Sequence, residues 1–367
     1  MKQRSRKDKL LAAILTPLSW IYGGVVFLRN KMFDMHLLPS ESFDIPVISV
    51  GNVTVGGTGK TPHVEWLIEI LSYQYNIAVL SRGYKRKTKG FVLATPHSTP
   101  STIGDEPYQI YKKFSGIAKV AVCENRREGI RRIQELYPDV NLILLDDGLQ
   151  HRYVTPKVSI LLMDWHRPIY QDEMLPLGRL RDSLDSINRA DFVIVSKVPQ
   201  NVTPLDLMIV KRELDLLAFQ QLMFTRYHYN PPVSVFEESR NYTLKLDRLG
   251  HDDMVMVLTG IANPRGLIRY LLQFNFRMRV EHFADHHDFS RKDLEKIAKE
   301  FEKMNGKHKV IITTEKDAVR LVNNPYFPEE LKPFIYYIPI SVESISSGGS
   351  QEVRDKIISA INSEGFV

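Results

Sequence analysis

The residues with the plainest chemistry lie between Gly51 and Thr61, where the chain reads GNVTVGGTGKT. Gly56, Gly57 and Gly59 let backbone N–H groups close around phosphate oxygens, with Thr58 between them, and a following helix N-terminus adds to the attraction. Lys60 has the reach for β- and γ-phosphates, and Thr61 supplies a hydroxyl for Mg2+. The loop departs from the usual G-x-x-x-x-G-K-[ST] pattern at Thr54, which stands in place of a glycine. Val55, just before the double glycine, brings no added cation. The chemistry is that of a nucleoside triphosphate cradle, with ATP and Mg2+ as the implied ligands.

Two carboxylates, Asp146 and Asp147, end the apolar run "NLILLDDGLQH". A buried strand that ends in aspartate can hold Mg2+ opposite the loop hydroxyl, although strand-end carboxylates also serve as helix caps. Gln150 and His151 follow on the same turn and could orient phosphate or acceptor. Transfer to a hydroxyl needs a proton acceptor. Asp105 in "IGDEP" is one candidate, with a helix cap as its bland alternative. The cluster Asp285-His286-His287-Asp288 is a second, open between catalysis and a polar loop; metal binding is the weaker reading, since no second His/Cys group has ligand spacing. Lys197, in "VIVSKVP", stands where GTPases read guanine but lacks their aspartate, which argues against guanine and leaves Lys197 to lie along the base. Cys123 has no adjacent base and no partner for an intrachain disulfide, in keeping with a reducing compartment.

Elements must place these groups. "IPVISVGN" predicts a buried strand before the loop, and "KTPHVEWLIEILSYQ" the helix after it. "IAVLSRGY", "KVAVCEN", "VNLILLDDG", "VSILLMDW" and "ADFVIVSK" predict further strands, with helices over "GDEPYQIYKKF" and "RREGIRRIQELY". Short apolar runs between amphipathic helices predict an α/β fold, a P-loop NTPase-like doubly wound parallel sheet with ligands at the carboxyl ends of its strands. After "YHYNPP" a second strand–helix run, "MVMVLTGIANP" to "KVIITTEKD", predicts a smaller α/β domain. The expected division is 1–31, a basic apolar segment; 32–225, the nucleotide-binding domain; and 226–367, the smaller domain closing over the site. The last helix could pack on either domain.

At 367 residues, 43% hydrophobic and 25% charged, the chain is a folded protein of roughly two domains. The net charge of +6 admits nucleic acid, an anionic membrane or a phosphorylated substrate. The N-terminus favours the membrane. Lys2, Arg4, Arg6, Lys7 and Lys9 precede an uncharged stretch from Leu10 to Leu28 that holds Trp20 and Tyr22. A basic flank is drawn to anionic lipid and the aromatic pair to the headgroup zone, so the expectation is a helix lying in, or dipping into, the cytoplasmic leaflet, with a true span as the alternative. Basic stripes interleaved with aromatics are not seen, which argues against nucleic acid.

Together "VGNVTVGGTGKTP", "LSRGY", "GDEP", "DDGLQHR", "GRLRD", "GIANP", "FADHHDFS" and "TTEKDAVRL" resemble, in order and over most of the chain, the tetraacyldisaccharide 4′-kinases, the lipid A 4′-kinases of Gram-negative bacteria. The resemblance implies ATP-dependent phosphorylation of lipid A disaccharide 1-phosphate to lipid IVA at the cytoplasmic face of the inner membrane, with no obligate protein partner. It implies Asp105 as the base, His286 as its partner, Lys60 and Thr61 on the phosphates, and Asp146 and Asp147 at the metal. The family's Arg-Glu-Pro is here Arg181-Asp182-Ser183. Arg181 is thus implied near the phosphates, and Asp182, with its shorter reach, near the metal. Two α/β/α domains joined by a two-stranded hinge are the implied fold. The rival from another class is a P-loop NTPase switch that binds a partner protein.

Overall fold

Buried strands alternate with helices along most of the chain. The computed structural model describes residues 6–236, 244–285 and 287–363, with side chains of the first helix from residue 12 onward. It opens with α1 (Arg6–Asp34), β1 (Val47–Gly51), α2 (Lys60–Leu71), β2 (Ile77–Ser81) and β3 (Val92–Leu93). Next come α3 (Pro100–Ile103), α4 (Asp105–Phe114), β4 (Ala118–Val122), α5 (Arg126–Leu136) and β5 (Leu142–Asp146). Then follow β6 (Val158–Asp164), β7 (Phe192–Ser196), α6 (Pro204–Leu214) and β8 (Gln221–Tyr229). The smaller unit holds β9 (Val233–Ser234), β10 (Met254–Thr259), α7 (Arg265–Leu271), β11 (Arg277–His282), α8 (Arg291–Glu302), β12 (Lys309–Thr314), α9 (Glu315–Val322) and β13 (Ile335–Ile338). The chain then returns through β14 (Ile340–Ser344) and α10 (Gly349–Asn362).

The nine-stranded sheet runs β14-β8-β7-β6-β1-β5-β2-β4-β3 and the five-stranded sheet β11-β10-β12-β13-β9. In the larger sheet only the edge pairs β14–β8 and β3–β4 are antiparallel. Every residue of β1, β2, β5, β6 and β7 is buried, the mark of strands covered on both faces. One face packs on α2, α4 and α10 through residues such as Val64, Ile68, Ile110, Val353 and Ile357; the opposite face packs against α5 through Ile130 and Ile133. β1 lies between β5 and β6, so the chain crosses to opposite sides of it and opens a crevice at the strands' carboxyl ends. Val50 is paired with Asp146, and Asp164 with Ser196, which brings the ends of four strands, β1, β5, β6 and β7, to that crevice.

Two neighbouring passages connect the sheets, β8 to β9 and β13 to β14. Ile340 pairs with Tyr229, and Asn230 N–H donates to the Pro339 carbonyl at 2.9 Å. Tyr229 stacks on Tyr270 of α7 with centroids 4.5 Å apart.

α1 is one helix of 29 residues, about 43 Å at 1.5 Å per residue. It inverts the usual polarity of a surface helix. Its polar side faces the protein: Ser19 Oγ donates to the Met174 carbonyl (2.8 Å), Tyr22 Oη to the Arg181 carbonyl (3.0 Å) and Asn30 Nδ2 to Asp182 (2.7 Å). Its outer side carries Ile14, Leu18, Trp20, Ile21, Val25, Phe27 and Leu28, with Trp20 74% exposed. Among the described residues, Ala12–Asp34 is the one stretch long and apolar enough to cross a membrane by length and composition.

Candidate active site

The loop between β1 and α2 is shaped by glycine. Gly56 and Gly59 have φ of 113° and 93°, a left-handed backbone that a side chain disfavours. A Cβ on Gly59 would also meet the hydroxyl of half-buried Tyr227, whereas Gly57 faces open space. Asn52, buried at the base, ties the loop together. Its Nδ2 donates to Thr58 Oγ1 at 2.8 Å and, more weakly, to Thr54 at 3.5 Å; its Oδ1 accepts from Lys60 Nζ at 3.1 Å. His63 anchors α2, bridging the Gly59 carbonyl (2.7 Å) and Thr225 Oγ1 (2.9 Å), and burial pulls its pKa down to about 4. Thr61, the second residue of α2, is half-buried.

The two-aspartate turn faces this loop. Lys60 Nζ lies 3.5 Å from Asp147 Oδ1, and Arg181 Nη2 lies 3.1 Å from the same oxygen. Arg181 also donates to Asn52, so one guanidinium bridges loop and turn. Burial would push Asp147 up, but Lys60 and Arg181 outweigh it and hold the carboxyl below its usual range. Asp146 is the opposite case. Burial first, then Asp147, push it up to about 7, and among the described residues its Oδ1 is buried without a hydrogen-bond partner. An orphaned buried carboxylate oxygen beside a second carboxylate fits a cation such as Mg2+, which takes only one or two carboxylates from protein and the rest of its shell from phosphate and water. His151 closes the turn, its N–H donating to the Gly148 carbonyl at 2.8 Å; burial pulls its pKa down to about 4. The Gln150 carbonyl accepts from Arg29 of α1 at 3.0 Å.

Two expected residues are committed elsewhere. Both oxygens of buried Asp182 are taken: Oδ1 by Asn30 Nδ2 (2.7 Å) and the Ser183 N–H (2.9 Å), Oδ2 by Arg189 (2.8 Å). Its place is to fasten α1 to the segment that carries Arg181. Lys197, with φ of 59°, reaches the loop from β7: its Nζ pairs with Asp164 at 2.6 Å and donates to the Gly57 carbonyl.

Asp105 opens α4, with Gly104 in the cap position. Its Oδ2 accepts from Arg320 Nε (2.9 Å) and Nη2 (2.7 Å) across the two units, and Glu106 pairs with Lys316 at 2.8 Å. Asp285 lies 3.9 Å from Lys316. His286 lies outside the described residues. His287 is structural: its Nε2 bonds Asp293 at 2.9 Å, in the capping box of α8.

A sequence profile described as "Tetraacyldisaccharide-1-P 4'-kinase" matches residues 11–361. The chain belongs to the tetraacyldisaccharide 4′-kinase family. A tetraacyldisaccharide 4′-kinase of Bacteroides thetaiotaomicron is 48% identical over 340 residues, 91% of this chain and 89% of the relative. The Flavobacterium johnsoniae enzyme of the same name is 42% identical over 331 residues, 90% and 92% of the two chains. Among solved structures, LpxK from Aquifex aeolicus in complex with ATP matches with a TM-score of 0.71 at 25% identity, covering 96% of this chain and 99% of that one. Membership makes the chain a kinase and sets the regulatory switch aside.

Residues in this 4′-kinase chain that its sequence did not single out include Asn52, Asp164, Arg126, Lys316 and Arg320. Arg126 is buried on α5 and donates to the Cys123 carbonyl at 2.6 Å; its Nε and Nη2 are unpartnered among the described residues, and its charge acts on Asp146. Asn52 directly follows β1 inside the family-like segment "VGNVTVGGTGKTP", and Lys316 and Arg320 lie in "TTEKDAVRL". Those segments were the available signal. Cys123 itself is buried, and burial pushes its thiol up, away from reactivity.

Proposed function

We propose that this chain transfers the γ-phosphoryl group of ATP to the 4′-hydroxyl of lipid A disaccharide 1-phosphate, giving lipid IVA, at the cytoplasmic face of the inner membrane. The observation that carries the reading is the closed set of contacts among Lys60, Asn52, Asp147 and Arg181, in a chain that matches the family profile over residues 11–361. The two cations, Lys60 and Arg181, both contact Asp147 and Asn52. Phosphate oxygens offer them a better-matched partner, so nucleotide binding exchanges one ion-pair network for another.

Gly56, Gly57 and Gly59 bring backbone N–H groups to the phosphates, and Lys60 reaches the β- and γ-groups. Thr61, Asp146 and Asp147 are the residues that would hold Mg2+. When bound, the ion neutralises charge on the β- and γ-phosphates. Asp105 accepts the proton of the acceptor hydroxyl as the new oxygen–phosphorus bond forms and the bond to the bridging oxygen of ADP breaks; His286 is its expected partner. Arg181 offsets the negative charge of the transferring group. The smaller unit closes over the crevice and excludes water, which limits idle ATP hydrolysis. The outward apolar face of α1, with its basic flank, sits in anionic lipid where the acylated acceptor resides.

The test uses labelled ATP with lipid A disaccharide 1-phosphate in detergent, against simple sugars and nucleosides as acceptors. Label should enter only the lipid, and Asp105→Ala should lower turnover by about 10²–10⁴ with ATP affinity unchanged. Equal labelling of the soluble acceptors overturns the substrate; equal losses of turnover and ATP affinity overturn the base.

A further inference from the structure

Arg320 makes an unusual commitment. Its side chain is 9% exposed, and every nitrogen of its guanidinium makes a hydrogen bond. Nε and Nη2 converge on one oxygen of Asp105, at 2.9 and 2.7 Å; Nη1 donates to the Gly260 carbonyl (3.3 Å) and to Asp317 Oδ1 (3.1 Å). Asp317 is itself fully buried, and its Oδ2 accepts from the Gly260 N–H (2.9 Å) and Thr314 Oγ1 (2.7 Å). The cation is therefore fixed to the end of β10 and the start of α9 before it touches Asp105. Asp105 belongs to the other unit, 215 residues away in sequence.

We propose that Arg320 is the positioning residue for Asp105, holding the carboxylate ionised and aimed only while the smaller unit stays docked on α4. This rests on the reading of Asp105 as the proton acceptor. Two N–H donors of a guanidinium fork, fixed at its other end, hold Asp105 Oδ2 in place as a single mobile ammonium would not. An opposite charge this close also favours the ionised form, and the N-terminus of α4 adds to that. The other charged groups near the start of α4 are already paired: Glu106 with Lys316, and Asp317 with Arg320. Asp285 faces Lys316, and His286 follows it in the chain. α3 carries no titratable side chain; Lys119 of β4 lies over Tyr137, and Glu65 of α2 pairs with Lys113 at the far end of α4. Arg320 bonds Asp105 itself, so its removal acts on that carboxylate directly. Docking of the units and readiness of the base become one event.

The experiment measures the pH dependence of kcat/KM for the full chain carrying Arg320→Met, Arg320→Lys, Asp105→Asn, and Arg320→Met with Asp105→Asn. Arg320→Met should move the acid limb to higher pH by about 1–3 pH units, with a smaller move for Arg320→Lys, which keeps the charge and loses the fork. Added to Asp105→Asn, Arg320→Met should cost little more, because both act through one group. A limb that stays in place, or a loss that multiplies fully onto Asp105→Asn, overturns the proposal and reduces Arg320 to a brace between units. If Asp105→Asn turns over like the unchanged chain, the base assignment falls and the proposal with it. If Arg320→Met does not fold, the limb of Arg320→Lys decides.

Discussion

Replacing Glu315 by glutamine should make the protein more stable, by about 3 kcal/mol above neutral pH. Glu65 of α2, Gln109 and Lys113 of α4 and Glu315 of α9 form a buried polar cluster where the two units meet. Lys113 lies 2.7 Å from Glu65, and Gln109 donates to Glu65 at 2.8 Å. Glu315 shares that cation's field, and its Oε2 is buried without a hydrogen-bond partner among the described residues. Burial first, then the charge of Glu65, push Glu315 from 4.5 up to about 7. The unfolded chain ionises near 4.5 and the folded one near 7, so the folded state binds the proton across that window. Stability is therefore fullest below about pH 4.5 and falls as pH rises to about 7. A rise of about 2.5 pH units at about 1.4 kcal/mol each comes to about 3 kcal/mol. Glu315→Gln keeps the shape and removes the charge. Urea denaturation of both proteins at several pH values should give near parity at about pH 4.5 and the full advantage at about pH 8. An advantage that does not grow with pH refutes the reasoning, since a packing effect would be present at every pH.

Three further outcomes are expected. Lys60→Ala should lower turnover by at least about 10²-fold with an unchanged circular dichroism spectrum, and turnover near the original level would remove Lys60 from the phosphates. Asn30→Ala strips one donor from buried Asp182 and should cost about 1–3 kcal/mol in thermal or urea unfolding; an unchanged midpoint would mean that α1 is not fastened there. Trp20→Glu with Ile21→Glu places charge on the outward face of α1 and should release the protein from anionic vesicles in a sedimentation assay, whereas continued pelleting would place the lipid contact elsewhere.

The parallel sheet was legible because its strands are short, apolar and β-branched, and because helices intervene at regular intervals. The phosphate loop was legible because glycine, lysine and threonine recur at spacings that the chemistry fixes. Neither signal reaches across the chain. Asp105 shows in sequence only as an acid before a helix, and Arg320 only as a charge on an amphipathic one; 215 residues of topology bring them together. The family resemblance implies Asp182 near the metal, yet Asn30 and Arg189 take its oxygens. Lys197 was assigned to the base by analogy of position, and its observed partners are Asp164 and the loop carbonyl of Gly57. In each case the residue type was informative and the partner was not, because partners are chosen by tertiary packing.

The return of the chain through β14 and α10 makes the smaller unit an insertion in the larger one. β8 is left an edge until Ile340–Ser344 pair with it, and Trp66 of the nucleotide helix bonds Ser350 at 3.1 Å. Val353, Ile357 and Ile361 complete the face that covers Val64 and Ile68. A ribosome must therefore deliver nearly the whole polypeptide before the nucleotide site has its full backing. The insertion has every local contact it needs much earlier. During synthesis the smaller unit can fold first, tethered by β8, and wait for the larger one.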